Sequence, residues 1–350
     1  MQFPQLLCTI FIVLLFACSI SESQNCDDPL KTITVSLSGE ANFRTIQSAI
    51  DSVPIQNSQW IHIQISPGVY NLHLYKGLIK NGVVHIQYRE QVLIPMNKPC
   101  IYLEGAGSLH THIEWNDHLN ATFCTEANNT IAKGITFTNT LNHPITLDES
   151  NITQAVAAQI NADKCAFFHC AFLGVQDTLW DCYGRHYYHG CYIQGGIDFI
   201  FGNGQSIFEE SIINFSMGKN GPKWNGIITA QERDSPNDPS GFVFKNCNIT
   251  GTTGGKALLG RSLRAYARVI IANSFLSDVV LPIGWNARTF LGHEKTITFV
   301  ELGNKGPGAD QTKRVRWIKH LSESELLQFL NITFIDKEGW IAKLPKSIFI

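Results

Sequence analysis

Cys170-Ala-Phe-Leu-Gly-Val-Gln-Asp177 and, 21 residues on, Cys191-Tyr-Ile-Gln-Gly-Gly-Ile-Asp198 share one register, with an aspartate seven residues after a cysteine in both. If each copy is one turn of a coil of parallel strands, neighbouring turns lie about 4.8 Å apart. The two carboxylates then stack one above the other, close enough that they must divide their protons.

The rhythm extends along the chain. Phe168-His-Cys170-Ala-Phe172, Tyr188-His-Gly-Cys191-Tyr-Ile193, Phe208-Glu-Glu-Ser211-Ile-Ile213, Phe244-Lys-Asn-Cys247-Asn-Ile249 and Ile271-Ala-Asn-Ser274-Phe-Leu276 repeat one pattern of large apolar, small, then apolar residues. The small residue recurs at intervals of 21, 20, 36 and 27. Spacings near 20 with longer excursions suit stacked short strands whose corners sometimes bulge. A sandwich of hairpins is the rival, but the Asn-Gly and Asp-Gly turns that hairpins favour are scarce. The expected fold is therefore all-β, a single-stranded right-handed parallel β-helix with short terminal helices. Asn42 to Val53 places Phe43, Ile46, Ile50 and Val53 at helical spacing, which suggests an amphipathic cap. Ser322-Glu-Ser-Glu325 reads as a capping box opening a second helix.

The 350 residues are 44% hydrophobic and 16% charged, with a formal net charge of -2. Without a basic run, a nucleic-acid groove is disfavoured and a neutral or polar substrate fits better. Leu6 to Ile20 is apolar and is followed by Ser21-Glu22-Ser23, so residues 1–23 read as a secretory signal peptide. A membrane anchor is the alternative, but the stretch is short for the ~20 residues a span needs. Residues 24–350 are expected to form one catalytic domain. Asn120, Asn128, Asn151, Asn214, Asn248 and Asn331 open Asn-x-Ser/Thr sequons, compatible with export and glycosylation. Of ten cysteines, eight lie beyond the signal, and their spacing matches no zinc motif. Cys170, Cys191 and Cys247 read as buried small residues of one core ladder. A disulfide among the others, for instance Cys165 or Cys182 with a neighbour, is compatible with export.

Polar residues gather at the aspartates. Gln176 precedes Asp177, and Gln154 lies 22 residues earlier, about one turn. Leu259-Gly260-Arg261 adds a cation after a Gly-rich loop. Any one of these is more often a turn or ladder residue than a catalytic one; the combination is more specific. Two stacked aspartates repel by roughly 3 kcal/mol at an effective dielectric of ~20, so one stays ionised while the other keeps its proton near neutrality. Arg261 would decide which. A carboxylate nucleophile beside a carboxylic acid can attack a carbonyl, and glutamine N–H groups can stabilise the oxyanion.

Gln154-Ala-Val-Ala157, Gln176-Asp-Thr-Leu179, Gly195-Gly-Ile-Asp198-Phe-Ile-Phe-Gly202 and Leu259-Gly-Arg261 occur in the order and approximate spacing of the plant pectinesterases, or pectin methylesterases. The resemblance runs over roughly residues 32 to 345 and takes in Gly184-Arg-His-Tyr187, Gly284-Trp285, Gly306-Pro-Gly-Ala309, Phe334-Ile-Asp336 and Trp340. It implies a secreted cell-wall enzyme that hydrolyses methyl esters of homogalacturonan to pectate and methanol, as a monomer, without metal or cofactor. It also implies proteinaceous pectinesterase inhibitors as partners, and no nucleic acid or membrane. By the same resemblance Asp198 is the nucleophile, Asp177 the proton donor and then base, Gln154 and Gln176 the oxyanion donors, and Arg261 the residue that orients Asp198. Trp180, Phe201 and Trp285 match aromatic positions of the sugar cleft, although aromatics in a β-helix more often fill its core.

The pattern departs from the family at two places. Where the family usually has Trp two residues after Leu-Gly-Arg, this chain has Leu263, which removes a stacking face. The family's Gly-x-Tyr-x-Glu motif is split between Gly68-Val-Tyr70 and Arg89-Glu90, with residues 71–88 between them as an insertion or a wrongly translated piece of gene. The inhibitor-like pro-region common in the family is also absent. These departures motivate one rival reading, a pectin-binding relative with weak or no catalysis. A glycoside hydrolase or lyase on the same polymer is a second rival, since paired carboxylates also serve glycoside hydrolysis.

Overall fold

The computed structural model describes residues 26–72, 79–80, 83–84, 88–142, 152–217, 225–251 and 255–349. Residues 1–25, on which the expected signal peptide falls, Asn151, and most of the stretch between residues 71 and 88 lie outside the described residues. Among those described, short strands alternate among three sheets of ten, eight and nine strands, in which sequence-distant neighbours pair in parallel. One turn runs Leu179–Tyr183, Arg185–His189, Tyr192–Gly195, and the next begins at Ile197–Gly202. This is the right-handed parallel β-helix expected from the repeat.

The repeat has a physical basis at one corner. Gly134, His169, Gly190, Glu210, Asn246, Asn273 and Gly303 all have φ between 51° and 63°, a column of left-handed residues that turns the chain from the first sheet into the third. Each small residue of the sequence pattern follows one of them. Ser211 and Ser274 do more than fit: their hydroxyls accept from the backbone N–H of Cys191 and Cys247 in the preceding turn, both at 3.0 Å. Inside, Phe167, Tyr188, Phe208 and Phe244 occupy one register and stack at centroid distances of 5.0, 4.5 and 4.6 Å. The column passes through Phe167, not the Phe168 of the sequence alignment; Phe168 pairs with His189 and faces outward.

Cys170, Cys191 and Cys247 are buried free thiols. The disulfide among the described residues joins Cys26 to Cys100. Cys165 and Cys182 are free: Cys165 points into the core while Cys182 is half-exposed on the other side of the wall, so the two thiols face apart. The sequon at Asn214 is also internal to the fold, since Asn214 is 2% exposed and donates to Gln194 Oε1 at 3.1 Å.

The N-terminal helix is shorter than its apolar spacing suggests, spanning Ile46–Asp51. Phe43 stays extended because its N–H donates to Thr34 and its backbone bridges Val35, and Thr45 then caps the helix. At the other end the Ser322 capping box opens the helix Glu323–Leu330. The segment that follows lays Phe334, Ile335, Trp340 and Leu344 over Tyr102, Ile131, Tyr187 and Val243 on the outer face of the first sheet. That face is therefore closed, and the second sheet carries the accessible chemistry.

Candidate active site

Gln154, Gln176 and Ile197 bridge in successive rungs, so the residue after each, Ala155, Asp177 and Asp198, shares one column. Asp177 and Asp198 both adopt left-handed backbone, with φ of 61° and 46°. Aspartate tolerates this region better than most residues, and such strain is held only where surrounding structure over-determines it. Here the Asp177 N–H donates to the Ile197 carbonyl at 3.0 Å, and the flanking strands fix the corner.

The two carboxylates are 4% and 6% exposed and have different partners. Gln154 Nε2 donates to Asp177 Oδ2 at 2.6 Å. Arg261 Nη2 donates to Asp198 Oδ2, while Asp198 Oδ1 is buried without a hydrogen-bond partner among the described residues. Burial, then the Asp198 charge, pushes the Asp177 carboxyl up from 3.8 to about 7, against the lowering effect of Gln154 and Arg261. Burial also raises Asp198, but the Arg261 hydrogen bond and the charges of Arg261 and Arg288 oppose it. The cation on Asp198 thus separates the pair: Asp198 ionises first, and Asp177 holds a proton into the neutral range.

The aromatic positions divide. Trp180 and Phe201 pair in register, stack at 5.4 Å and are half-buried on the face that carries Asp198. Trp285 does not join them. It is 1% exposed, its ring packs on Phe299 and its Nε1 donates to Glu301, so it offers no face to a sugar. Leu263 is half-buried, two residues beyond Arg261, with its N–H on the Gln231 carbonyl. The Gln176 side chain is half-buried.

Two charged residues escaped the sequence reading. Arg288 follows the short strand Trp285–Asn286, whose Asn286 pairs with Arg261, and its charge reaches Asp198. Its signal was its place three residues past the Gly284-Trp285 motif. Glu232, just past the strand Gly226–Gln231, acts on Asp177 and nothing in the local sequence marks it.

The Pectinesterase family model matches residues 32–338. The chain belongs to the pectinesterase family. An Arabidopsis thaliana relative named Probable pectinesterase 29 is 46% identical over 319 residues, 89% of each chain. Among solved structures, a pectin methylesterase from carrot superposes with a TM-score of 0.76 at 26% identity, covering 91% of this chain and 96% of its own. One from Aspergillus niger gives 0.71 at 26%, covering 93% and 99%. This pectinesterase is thus a carboxylic ester hydrolase by family and by fold.

Proposed function

We propose that this pectinesterase demethylates homogalacturonan through Asp198 as nucleophile and Asp177 as general acid, then base. The observation that carries the reading is the split pair: a buried carboxylate held by Arg261 beside a second whose proton persists to about 7.

An Asp198 oxygen attacks the ester carbonyl carbon, and the electron pair moves to the carbonyl oxygen. The donors proposed for that charge are Gln154, whose amide has a second N–H besides the one on Asp177, and Gln176. Collapse expels the methoxy group, which takes the Asp177 proton and leaves as methanol, with an Asp198 anhydride behind. Asp177, now a carboxylate, removes a proton from water as its oxygen attacks the anhydride. Asp198 departs ionised, Asp177 keeps the proton it took from water, and the sugar carboxylic acid gives its own proton to solvent as it is released as the carboxylate.

The polymer would lie along the outward column of the second sheet, where Gln159, Trp180, Phe201, Ala230, Arg261 and Asn286 occupy one register. Trp180 and Phe201 supply the apolar face, and Leu263 narrows what stacking is available beyond Arg261. Export to the cell wall is supported by the Cys26–Cys100 bridge, which belongs to an oxidising compartment.

The test is methanol release from highly methylated pectin, with Asp198→Asn and Leu263→Trp beside the parent. Release by the parent that Asp198→Asn abolishes, in protein of unchanged circular dichroism, is expected. Retained turnover in Asp198→Asn would remove it from the nucleophile role. Release by Leu263→Trp alone would mean that the cleft of the parent is defective; no release from any folded form would favour pectin binding.

A further inference from the structure

The Gly284-Trp285 and Gly306-Pro-Gly-Ala309 motifs touch none of the reacting groups, yet both converge on one buried ion pair. The side chains of Glu301 and Arg314 are 0% and 2% exposed. Arg314 Nε donates to Glu301 Oε1 at 2.7 Å and its Nη2 to Oε2 at 2.9 Å. The remaining guanidinium N–H groups are also used: Nη1 meets the Pro282 and Leu281 carbonyls at 2.9 and 3.3 Å, and Nη2 the Gly308 carbonyl at 2.5 Å. Glu301 Oε1 additionally accepts from Trp285 Nε1 at 2.9 Å.

From Trp285 the contact continues to the site. A Cβ on Gly284, whose φ is 70°, would fall 2.5 Å from Arg314 Cδ, so glycine is required for the arginine to pass. A Cβ on Gly260 would fall 3.1 Å from Trp285 Cζ3, so the indole lies directly against that backbone. The Leu259 N–H donates to the Gly284 carbonyl at 2.8 Å, and Gly260 and Arg261 pair with Trp285 and Asn286. Arg261 is the next residue, and its guanidinium meets Asp198.

We infer that Glu301, Arg314 and Trp285 are positioning residues that aim the Arg261 guanidinium at the Asp198 carboxylate. The strand Ala257–Ser262 that bears Arg261 pairs along its length with Gly226–Gln231 on one edge, but on the other it meets only the two-residue strand Trp285–Asn286, last in its sheet, so on that edge side-chain packing must supply what backbone pairing does not. A buried ion pair adds little net stability over apolar residues of equal volume. What a bidentate arginine fork fixes is direction, and here it fixes the indole on which the Arg261 strand rests. Displacing Arg261 weakens the larger part of what opposes the burial of Asp198, leaving the charge of Arg288, so Asp198 must become harder to ionise. The effect on turnover rests on the esterase reading above; the effect on Asp198 ionisation does not.

The experiment uses the full chain carrying Trp285→Phe, which keeps a ring but loses the donor, and Glu301→Gln, which keeps the shape but loses the charge. Carbon-13 NMR of labelled aspartate carboxyls, with the Asp198 resonance assigned through Asp198→Asn, reads ionisation without any substrate. The Asp198 midpoint is expected to rise by about half a unit or more in both variants, with the acid limb of kcat/KM for methanol release rising equally. kcat should fall about tenfold while KM stays within about twofold, as for a misaligned catalytic group. A lowered Tm with an unmoved Asp198 midpoint in both variants would overturn the inference and leave the network purely structural. A moved midpoint in a protein whose parent releases no methanol would uphold the inference and sink the esterase reading instead.

Discussion

Asp177 is held where an ionised carboxylate is costly, and both its catalytic use and its cost to stability follow. Its folded pKa of about 7 lies above the ordinary 3.8, so the unfolded chain releases this proton first as pH rises. Stability is therefore lost between about pH 4 and 7, on the order of 4 kcal/mol from this group. Asp177→Asn should raise Tm by several degrees at pH 8, barely change it at pH 4, and abolish turnover; calorimetry at the two pH values checks the sign. Gln154 acts on the same proton in the opposite sense, because its N–H stabilises the ionised form. Gln154→Ala should thus move the basic limb of the kcat/KM profile to higher pH while lowering kcat by roughly 10²-fold for a lost oxyanion donor. A basic limb that stays in place would separate Gln154 from Asp177. The juxtaposition of Asp177, Asp198, Gln154 and Gln176 is legible in sequence because a period near 21 converts directly into rungs. The inward turn of Trp285 and the approach of Arg288 are not, since both depend on how the chain leaves the last short strand.

A stacked column explains why the strands keep register although each is only a few residues long. Phe208 lies between Tyr188 and Phe244, nearly parallel to both, at interplanar angles of 6° and 10°. Its removal breaks two stacks and opens a cavity midway along the coil. Phe208→Ala should destabilise by about 3–5 kcal/mol, read as a lower urea midpoint, and it should reduce activity only in proportion to the unfolded fraction. The period of the coil was visible in Cys170, Cys191, Ser211, Cys247 and Ser274, because each must follow a left-handed corner and leave room for it. The one-residue error at Phe168 has an equally local cause. Phe167 and Phe168 are both aromatic, and only the burial of one face decides which enters the core; a shift of one residue exchanges the two faces.

At the scale of the whole chain, the stretch between Tyr70 and Glu90 looks in sequence like damage to a motif, and in space the motif is whole. Asn71 pairs with Arg89 and Leu72 with Tyr88 as antiparallel neighbours, so the chain leaves the coil and returns to the same place. Ile79–Lys80 and Val83–Val84 pair antiparallel within the excursion. The Glu90 charge consequently reaches Tyr70, whose hydroxyl donates to the Ser66 carbonyl at 3.0 Å: burial, then that charge, pushes the hydroxyl up to about 12. Glu90 Oε1 also accepts from the Gln47 N–H at 2.5 Å, in the first turn of the N-terminal helix. Facing Cα atoms in an antiparallel pair are about 4.5–5.5 Å apart, and consecutive ones are about 3.8 Å apart. Arg89 faces Asn71 and Glu90 lies one residue beyond it, so a variant lacking residues 72–89 joins Asn71 to Glu90 across a diagonal of about 6 Å and needs a shift of about 2–3 Å, restoring an unbroken Gly-x-Tyr-x-Glu. It also relieves the chain of closing a long loop, a modest entropic gain. That variant is expected to fold, to melt at or slightly above the temperature of the parent, and to release methanol at the same rate, since Asp177 and Asp198 lie several rungs away. Loss of folding on this deletion, with the Tyr70 and Glu90 contacts otherwise available, would mean that the excursion is an integral part of the coil's first turns.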